Sequence, residues 1–392
     1  MSDWFVKLRP ILAVLLLAAC GLVIADSAVG ELTVADAPTA AAPGYLSENP
    51  LVRPPADPED ILALNDRLRY LADTVVKPVR PRGRQIEALV GLMFDSDKLG
   101  LLYKGDKTLT AIQTLEAGGG NCISLTNLFI AMARYVGMDT HYLSITTPPN
   151  WNIGEDFYYV TRHVSALVKS TNSLRGKDEI TVDFRWFGPT SMARKEIVSD
   201  NRGFAEYYSN IAVDAFEAGD LHHALRYAEK ATEIDPRYSY AWSNIGVIYR
   251  RLDRHDDAEQ AYKTALKINR RNPSALSNLV VLYTTQGREQ DAAKYAREVE
   301  KYRMKNPYYL YRLAESAAAE GNHKDAIKLL KRAIRKNKEE DKFYFALARA
   351  YHLTNNDKLA IKFMKKAREQ VSSVEEKTRY QKKLNYLESQ HN

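Results

Sequence analysis

The sequence predicts two architectures in one chain: an α+β domain over roughly residues 58–203, then an all-α solenoid of repeated helix pairs over 204–374, closed by a capping helix over 375–392. Three observations carry this. Apolar residues first recur at helical spacing, then give way after Cys122 to segments dense in β-branched and aromatic residues. Helices followed by a short run of strands read as α+β. From about residue 205 onward, small residues hold one 34-residue register over 170 residues.

The amino terminus comes before either. Lys7 and Arg9 precede an apolar run over 11–25. That is shorter than the roughly 20 residues a membrane span needs, and it suits a secretory h-region. Within it, Leu17-Ala18-Ala19-Cys20 resembles the lipobox of bacterial lipoproteins. The resemblance implies that 1–19 is a signal peptide and that Cys20 is lipidated and becomes the first mature residue. Gly21 in place of an aspartate implies release towards the outer membrane, on the periplasmic side of a bacterial cell envelope. An uncleaved anchor, or an ordinary signal that contains a cysteine, is the alternative. Pro38, Pro43, Pro50, Pro54 and Pro55 punctuate a segment without apolar periodicity, so 20–57 reads as a flexible tether.

In the first domain Ile61, Leu64, Leu68 and Leu71 predict one helix, and Ile86, Leu89, Val90 and Met93 a second. Residues 109–117 predict a short third. The helix that begins at Cys122 sets Leu125, Leu128, Phe129, Met132 and Val136 on one face, with Gly137 placed to stop it. Strands follow over 141–145, 157–168 and 180–184, with turns at 148–150 and 175–177.

In the repeats, five 34-residue windows start at 205, 239, 273, 307 and 341. Their twentieth position is Ala224, Ala258, Ala292, Ala326 and Ala360. The eighth (Ala212, Gly246, Val280, Ala314, Ala348) and the twenty-seventh (Ala231, Ala265, Val299, Ala333, Ala367) are also small. The fifteenth holds turn formers: Gly219, Asp253, Gly287, Gly321 and Asn355. Small residues let helices approach closely, and Trp242, Tyr249 and Tyr262 fill the gaps. This pattern resembles the tetratricopeptide repeat, which implies a groove that binds a protein or peptide. Val374, Tyr380, Leu384 and Leu387 predict the buried side of the capping helix.

Composition narrows the chemistry. The net charge is +7 over 392 residues, with basic residues interleaved with acidic ones, so they read as solvated faces and no nucleic-acid partner is expected. No zinc-ligand spacing and no phosphate-binding loop are present, and neither metal nor cofactor is expected; His222-His223 falls in an inter-helix region. There are two cysteines. If Cys20 carries lipid, Cys122 is the remaining thiol of an exported protein, and a leftover thiol there is either incidental or reactive.

Cys122 closes the run Gly118-Gly119-Gly120-Asn121-Cys122 at a helix start. A helix amino terminus stabilises a thiolate, and its backbone N–H groups are suited to a developing oxyanion. His163 follows 41 residues on and Asp183 another 20, both in strand-like segments. His163 shares a strand face with Thr161 and Ser165, opposite Val164, Ala166 and Val168. His141 is the other histidine before the repeats. Gln113 is conceivable as an oxyanion partner, and Trp151 and Trp186 as walls of a cleft.

Gly120-Asn121-Cys122 with its helix, Arg162-His163-Val164 and Val182-Asp183-Phe184 resemble the transglutaminase-like superfamily, relatives of papain-type cysteine proteases, over roughly 85–190. The resemblance implies Cys122 as nucleophile, His163 as general base and acid, and Asp183 as the orienting group. It also implies an acyl-thioester route from a carboxamide to an amine or water. His163 lacks the aromatic and acidic residues that follow it in crosslinking members, which favours hydrolysis. Two functions are therefore expected: a membrane-tethered thiol hydrolase or acyltransferase whose repeats recruit a partner or substrate, or an inactive lipoprotein adaptor that scaffolds protein complexes.

Overall fold

The computed structural model describes residues 57–105, 107–146, 163–170, 178–184, 194–371 and 373–391. Asn65 splits the first expected helix. Its Oδ1 accepts from the Leu68 N–H at 3.0 Å and caps α1, Asp66–Leu71. A 3-10 turn, Pro58–Asp60, precedes it and a π-helical turn, Ala72–Val76, continues it. Ile61 still reaches the core, from a turn instead of a helix. Helix α2, Arg82–Phe94, buries Ile86, Leu89 and Met93.

Next come β1, Leu102–Tyr103, helix α3, Ala111–Glu116, and β2, Gly119–Gly120, which pairs parallel with β1. Helix α4, Cys122–Tyr135, is not one-sided as its sequence pattern predicts: every residue from Cys122 to Ala133 is buried. It has protein all round, with α2 and α3 against it as well as the sheet. Gly137, at φ +80°, ends it.

The sheet is antiparallel, in the order β5-β4-β3-β6: β3 is Asp139–Thr146, β4 His163–Ser170, β5 Asp178–Val182 and β6 Arg194–Val198. The expected strands are present where the residues are described, except that β5 ends at Val182, so Asp183 and Phe184 follow the strand and do not belong to it; the predicted turns, Thr161, Trp151 and Trp186 lie outside the described residues. Strand β6 has no counterpart in the sequence reading. It is an edge strand with exposed Lys195 and Glu196, so alternation is weak. Val164, Ala166, Val168 and Val182 share a core with Leu125, Leu128 and Phe129 of α4. Leu143, Ile145 and Leu167 form a separate cluster on the other face.

Five helix pairs follow: α5, Asp200–Glu217, with α6, Leu221–Ile234; α7, Ser239–Arg251, with α8, His255–Ile268; α9, Pro273–Thr285, with α10, Glu289–Arg303; α11, Pro307–Ala319, with α12, His323–Lys336; α13, Asp341–His352, with α14, Asp357–Gln370. Helix α15, Val374–His391, covers the end with Tyr380, Leu384 and Leu387. Val374 differs from expectation: it is exposed.

Each inter-helix turn residue takes positive φ: Gly219 +82°, Asp253 +58°, Gly287 +68°, Gly321 +80° and Asn355 +58°. This left-handed step is what selects glycine, asparagine and aspartate there. Gly246 serves packing instead. A Cβ on it would lie 2.4 Å from the Tyr262 ring, which is fully buried against it.

The sheet and the first helix pair share one core. Arg134 of α4 grips Asp200 through two nitrogens, at 2.7 and 2.8 Å, and donates to the Thr140 carbonyl. The Tyr142 ring lies flush against Gly203, where a Cβ would come within 2.7 Å. One continuous cluster of buried apolar residues runs from Ile61 to Ala261.

Candidate functional site

The glycine run before Cys122 is set by close approach as well as by turning. Gly118 has φ +63° and Gly119 φ +135°. A Cβ on Gly119 would fall 1.9 Å from the Leu102 carbonyl oxygen, and one on Gly120 would fall 2.6 Å from Ser124 Cβ. Only glycine lets the chain pass between β1 and the first turn of α4.

Asn121 is the helix cap. Its Oδ1 accepts from the Ser124 N–H at 3.2 Å, and its Nδ2 donates to Thr108 Oγ1 at 2.7 Å. Ser124 Oγ donates to the Lys107 carbonyl at 2.9 Å and accepts from the Leu109 N–H at 2.7 Å. The segment around Thr108 thus clamps the turn that presents Cys122, which is buried at 9% exposure and stands as the first residue of the helix. Sequence reasoning missed Thr108 and Ser124, because the bonds of Thr108 to Asn121 and of Ser124 to Lys107 and Leu109 cross α3.

Thr126, one turn into α4, donates to the Val164 carbonyl at 3.2 Å and sets the start of the helix beside the start of β4. There His163, 4% exposed, is the first residue of the strand. Val182 pairs with Ala166. Continuing that ladder by one residue sets Asp183 opposite Ser165, on the face that also carries His163. Asp183 Oδ1 lies 2.5 Å from His163 Nε2, and Ser165 Oγ lies 3.2 Å from the same nitrogen. Phe184 fixes the next residue by ring contacts with Phe94 and Phe129 at 5.6 and 5.8 Å.

Electrostatics favours a charged imidazole. Burial works against protonation of His163, but hydrogen bonds to Asp183 and to the Cys122 side chain, with the attraction of both groups, outweigh it and raise its pKa to about 9.

The structure therefore brings Cys122, His163 and Asp183 together. It adds Ser165, whose signal was its place two residues along the same strand face. His141 is elsewhere. It pairs with Leu167, four residues up β3 from the Ile145 partner of His163, or roughly 13 Å at strand rise. Its Nε2 lies 2.8 Å from Asp139. Gln113 is committed as well, since it completes the capping box of α3 with Thr110. His223 is held by Asp220, the cap of α6, at 2.7 Å. Among the described residues no cluster has the makings of a metal site. Cys20 lies outside the described residues.

A mixed α/β region with an antiparallel sheet and a Cys–His–Asp cluster, continued by an all-α tetratricopeptide-like array, is the class that fold and site define. Comparison with known proteins agrees in outline. Residues 69–250 match the transglutaminase-like superfamily, and residues 204–384 match the family of the cilia and flagella-associated protein 70 C-terminal domain. The chain carries a transglutaminase-like core domain followed by a tetratricopeptide-like C-terminal domain. The first match runs on into the repeats, as the shared core does. An uncharacterized protein of Methanocaldococcus jannaschii, MJ0572, is 35% identical over 65 residues, which cover 17% of this chain and 76% of that protein; over that stretch the chain belongs to its family. Among solved structures the chain is similar to YrrB, a tetratricopeptide protein described as having an unusual peptide-binding site, at 17% identity over 45% of this chain and 92% of that one, with a TM-score of 0.25. It is also similar to MamA from Desulfovibrio magneticus RS-1, at 17% identity over 42% and 94%, with a TM-score of 0.25.

Proposed function

We propose that the protein is an exported thiol hydrolase or acyltransferase acting on amide bonds of proteins or peptides. The observation that carries this is the buried His163, whose Nε2 lies 2.5 Å from Asp183 and whose pKa is raised by both Asp183 and the Cys122 side chain. Cys122 Sγ attacks the carboxamide carbon, and the oxyanion meets the backbone N–H groups of Cys122 and Ile123 at the start of α4. Ser124 and Leu125 are already engaged by the cap. The C–N bond breaks, His163 gives its proton to the leaving amine, and a thioester remains. Water or a second amine, deprotonated by His163, then releases the acyl group and restores the thiol. Asp183 keeps the ring oriented throughout. The repeats recruit the protein or peptide that supplies the amide or presents the enzyme to it.

Export and tethering rest on the amino-terminal sequence: lipid on Cys20 and an address on the periplasmic face of the outer membrane. Metabolic labelling with a tagged fatty acid tests this; label that persists in Cys20→Ser overturns it.

For the chemistry, the protein is treated with a thiol-directed electrophile across pH and read by mass spectrometry. Cys122 is expected to alkylate faster than an ordinary buried thiol, and His163→Ala to remove that enhancement. Slow labelling indifferent to His163 sinks the enzyme reading. Full biological function in Cys122→Ala would favour the adaptor.

A further inference from the structure

Charge is unevenly distributed along the repeats. Residues 323–392 hold 18 lysines and arginines against nine aspartates and glutamates, so this segment carries more positive charge than the chain as a whole, at +7. The repeat converts that excess into a surface. On α12, Lys324, Lys328, Lys331 and Arg335 recur at the spacing of one helix face, and all are exposed. Thirty-four residues on, α14 carries exposed Lys358, Lys362 and Lys365 at the same positions. The opposite sides are buried: Ala326, Leu330 and Ala333 on α12, and Ala360, Met364 and Ala367 on α14.

Stacked repeats turn equivalent positions to the same side of the array, so these cations form two rows on one side. The corresponding positions of the second repeat, Asp256, Gln260 and Lys263, have no such bias. Read linearly, interleaved acids such as Asp325 and Asp357 disguise the rows as ordinary solvated faces. Neutralisation is slight. Asp325 lies 2.9 Å from Lys328 and Glu388 2.9 Å from Lys365, both on the surface, where such pairs contribute little.

We infer that this end of the array docks peripherally on an anionic phospholipid surface. Two observations favour a bilayer over a nucleic acid. Thirteen of the 18 cations are lysines, point charges suited to headgroups, where readout of bases or bidentate phosphate contacts would call for arginine. Apolar side chains also stand exposed at the same end: Leu353 at 52%, Val374 at 80% and Tyr386 at 59%. Val374 borders a shallow recess with Arg368, Lys377 and Lys382, and Tyr386 lies one helical turn beyond Lys382. Lysine stems with interleaved tyrosine and aliphatic groups are what an interfacial layer accommodates. Among the described residues no helix is long and apolar enough to cross a membrane. The inference depends neither on the chemistry at Cys122 nor on lipid at Cys20.

The test is co-sedimentation of the full chain with vesicles of phosphatidylcholine alone and of phosphatidylcholine with phosphatidylglycerol. The readout is the preference for the anionic vesicles, to which the amino-terminal apolar run contributes equally in both. Joint Lys324→Glu, Lys328→Glu, Lys358→Glu and Lys362→Glu is expected to lower that preference at least about tenfold. A charge-matched control on exposed residues of the earlier repeats, Arg226→Glu, Lys267→Glu, Arg270→Glu and Arg271→Glu, is expected to keep it. Glutamine in place of glutamate at the same positions covers the case in which charge reversal disturbs folding. The inference is overturned if the wild type shows no preference, if test and control variants lose it equally, or if duplex DNA and not vesicles is bound with this dependence.

Discussion

In the repeats, residues that meet are one helix or one 34-residue period apart. In the first domain, the residues that meet at the site come from three separate elements, with 41 and then 20 residues between them. The repeats build a core pair by pair, so Gly246 seats Tyr262 within one unit. The site depends on α4, β4 and β5 all being in place before His163 can touch both neighbours. Damage should therefore stay local in the first case and spread in the second, and variants can separate the two behaviours.

The largest effect is expected at Asp183. Asp183→Asn keeps the shape but offers His163 the wrong partner, and should lower turnover on a peptide amide on the order of 10^2- to 10^4-fold with unfolding unchanged in the repeats. A loss below tenfold would remove Asp183 from the reaction.

Gly119→Ala and Gly246→Ala form the sharper contrast. The first adds a Cβ 1.9 Å from a backbone oxygen at φ +135° and should cost about 3 kcal/mol or more, with loss of Cys122 reactivity. The second presses on the Tyr262 ring and should cost about 1–3 kcal/mol while Cys122 keeps its alkylation rate. Urea titration paired with thiol labelling reads both, and equal effects on labelling would erase the distinction between the regions.

A gentler probe is pH. His163 is raised from its ordinary value to about 9 in the fold, so its contribution to stability is fully present below about 6.5 and is lost as pH rises through about 9. The stability advantage of the wild type over His163→Gln should shrink across that window; an advantage that grows would contradict the sign. The smallest effect belongs to the repeats. Gly287→Ala meets no atom within 4 Å, so only its φ of +68° resists, at about 1 kcal/mol. A loss confined to the third helix pair by hydrogen exchange would mark it as local.

Much of this was legible in advance, though unevenly. The five turn positions and the alanine columns were readable because each is fixed by contacts within a period. Cys122, His163 and Asp183 were readable as types and order. Ser165 was readable too, two residues along the strand face of His163. Thr108 was not: it matters through a bond to Asn121, which a linear reading does not bring near it. Asn65 breaking the first helix and Lys195 on the charged edge strand escaped for a related reason, since a cap or a sheet edge overrides apolar spacing.

What the sequence determined by itself is therefore the repeat register, the small-residue columns and the presence of a thiol at a helix start, because local sterics and periodic burial act on neighbours in the chain. Tertiary structure alone decided that Nε2 of His163 takes Asp183, that His141 is four residues out of reach, and that lysines 34 residues apart line up as rows. Those facts depend on strand register and helix stacking, which place side chains together only once the whole core has closed.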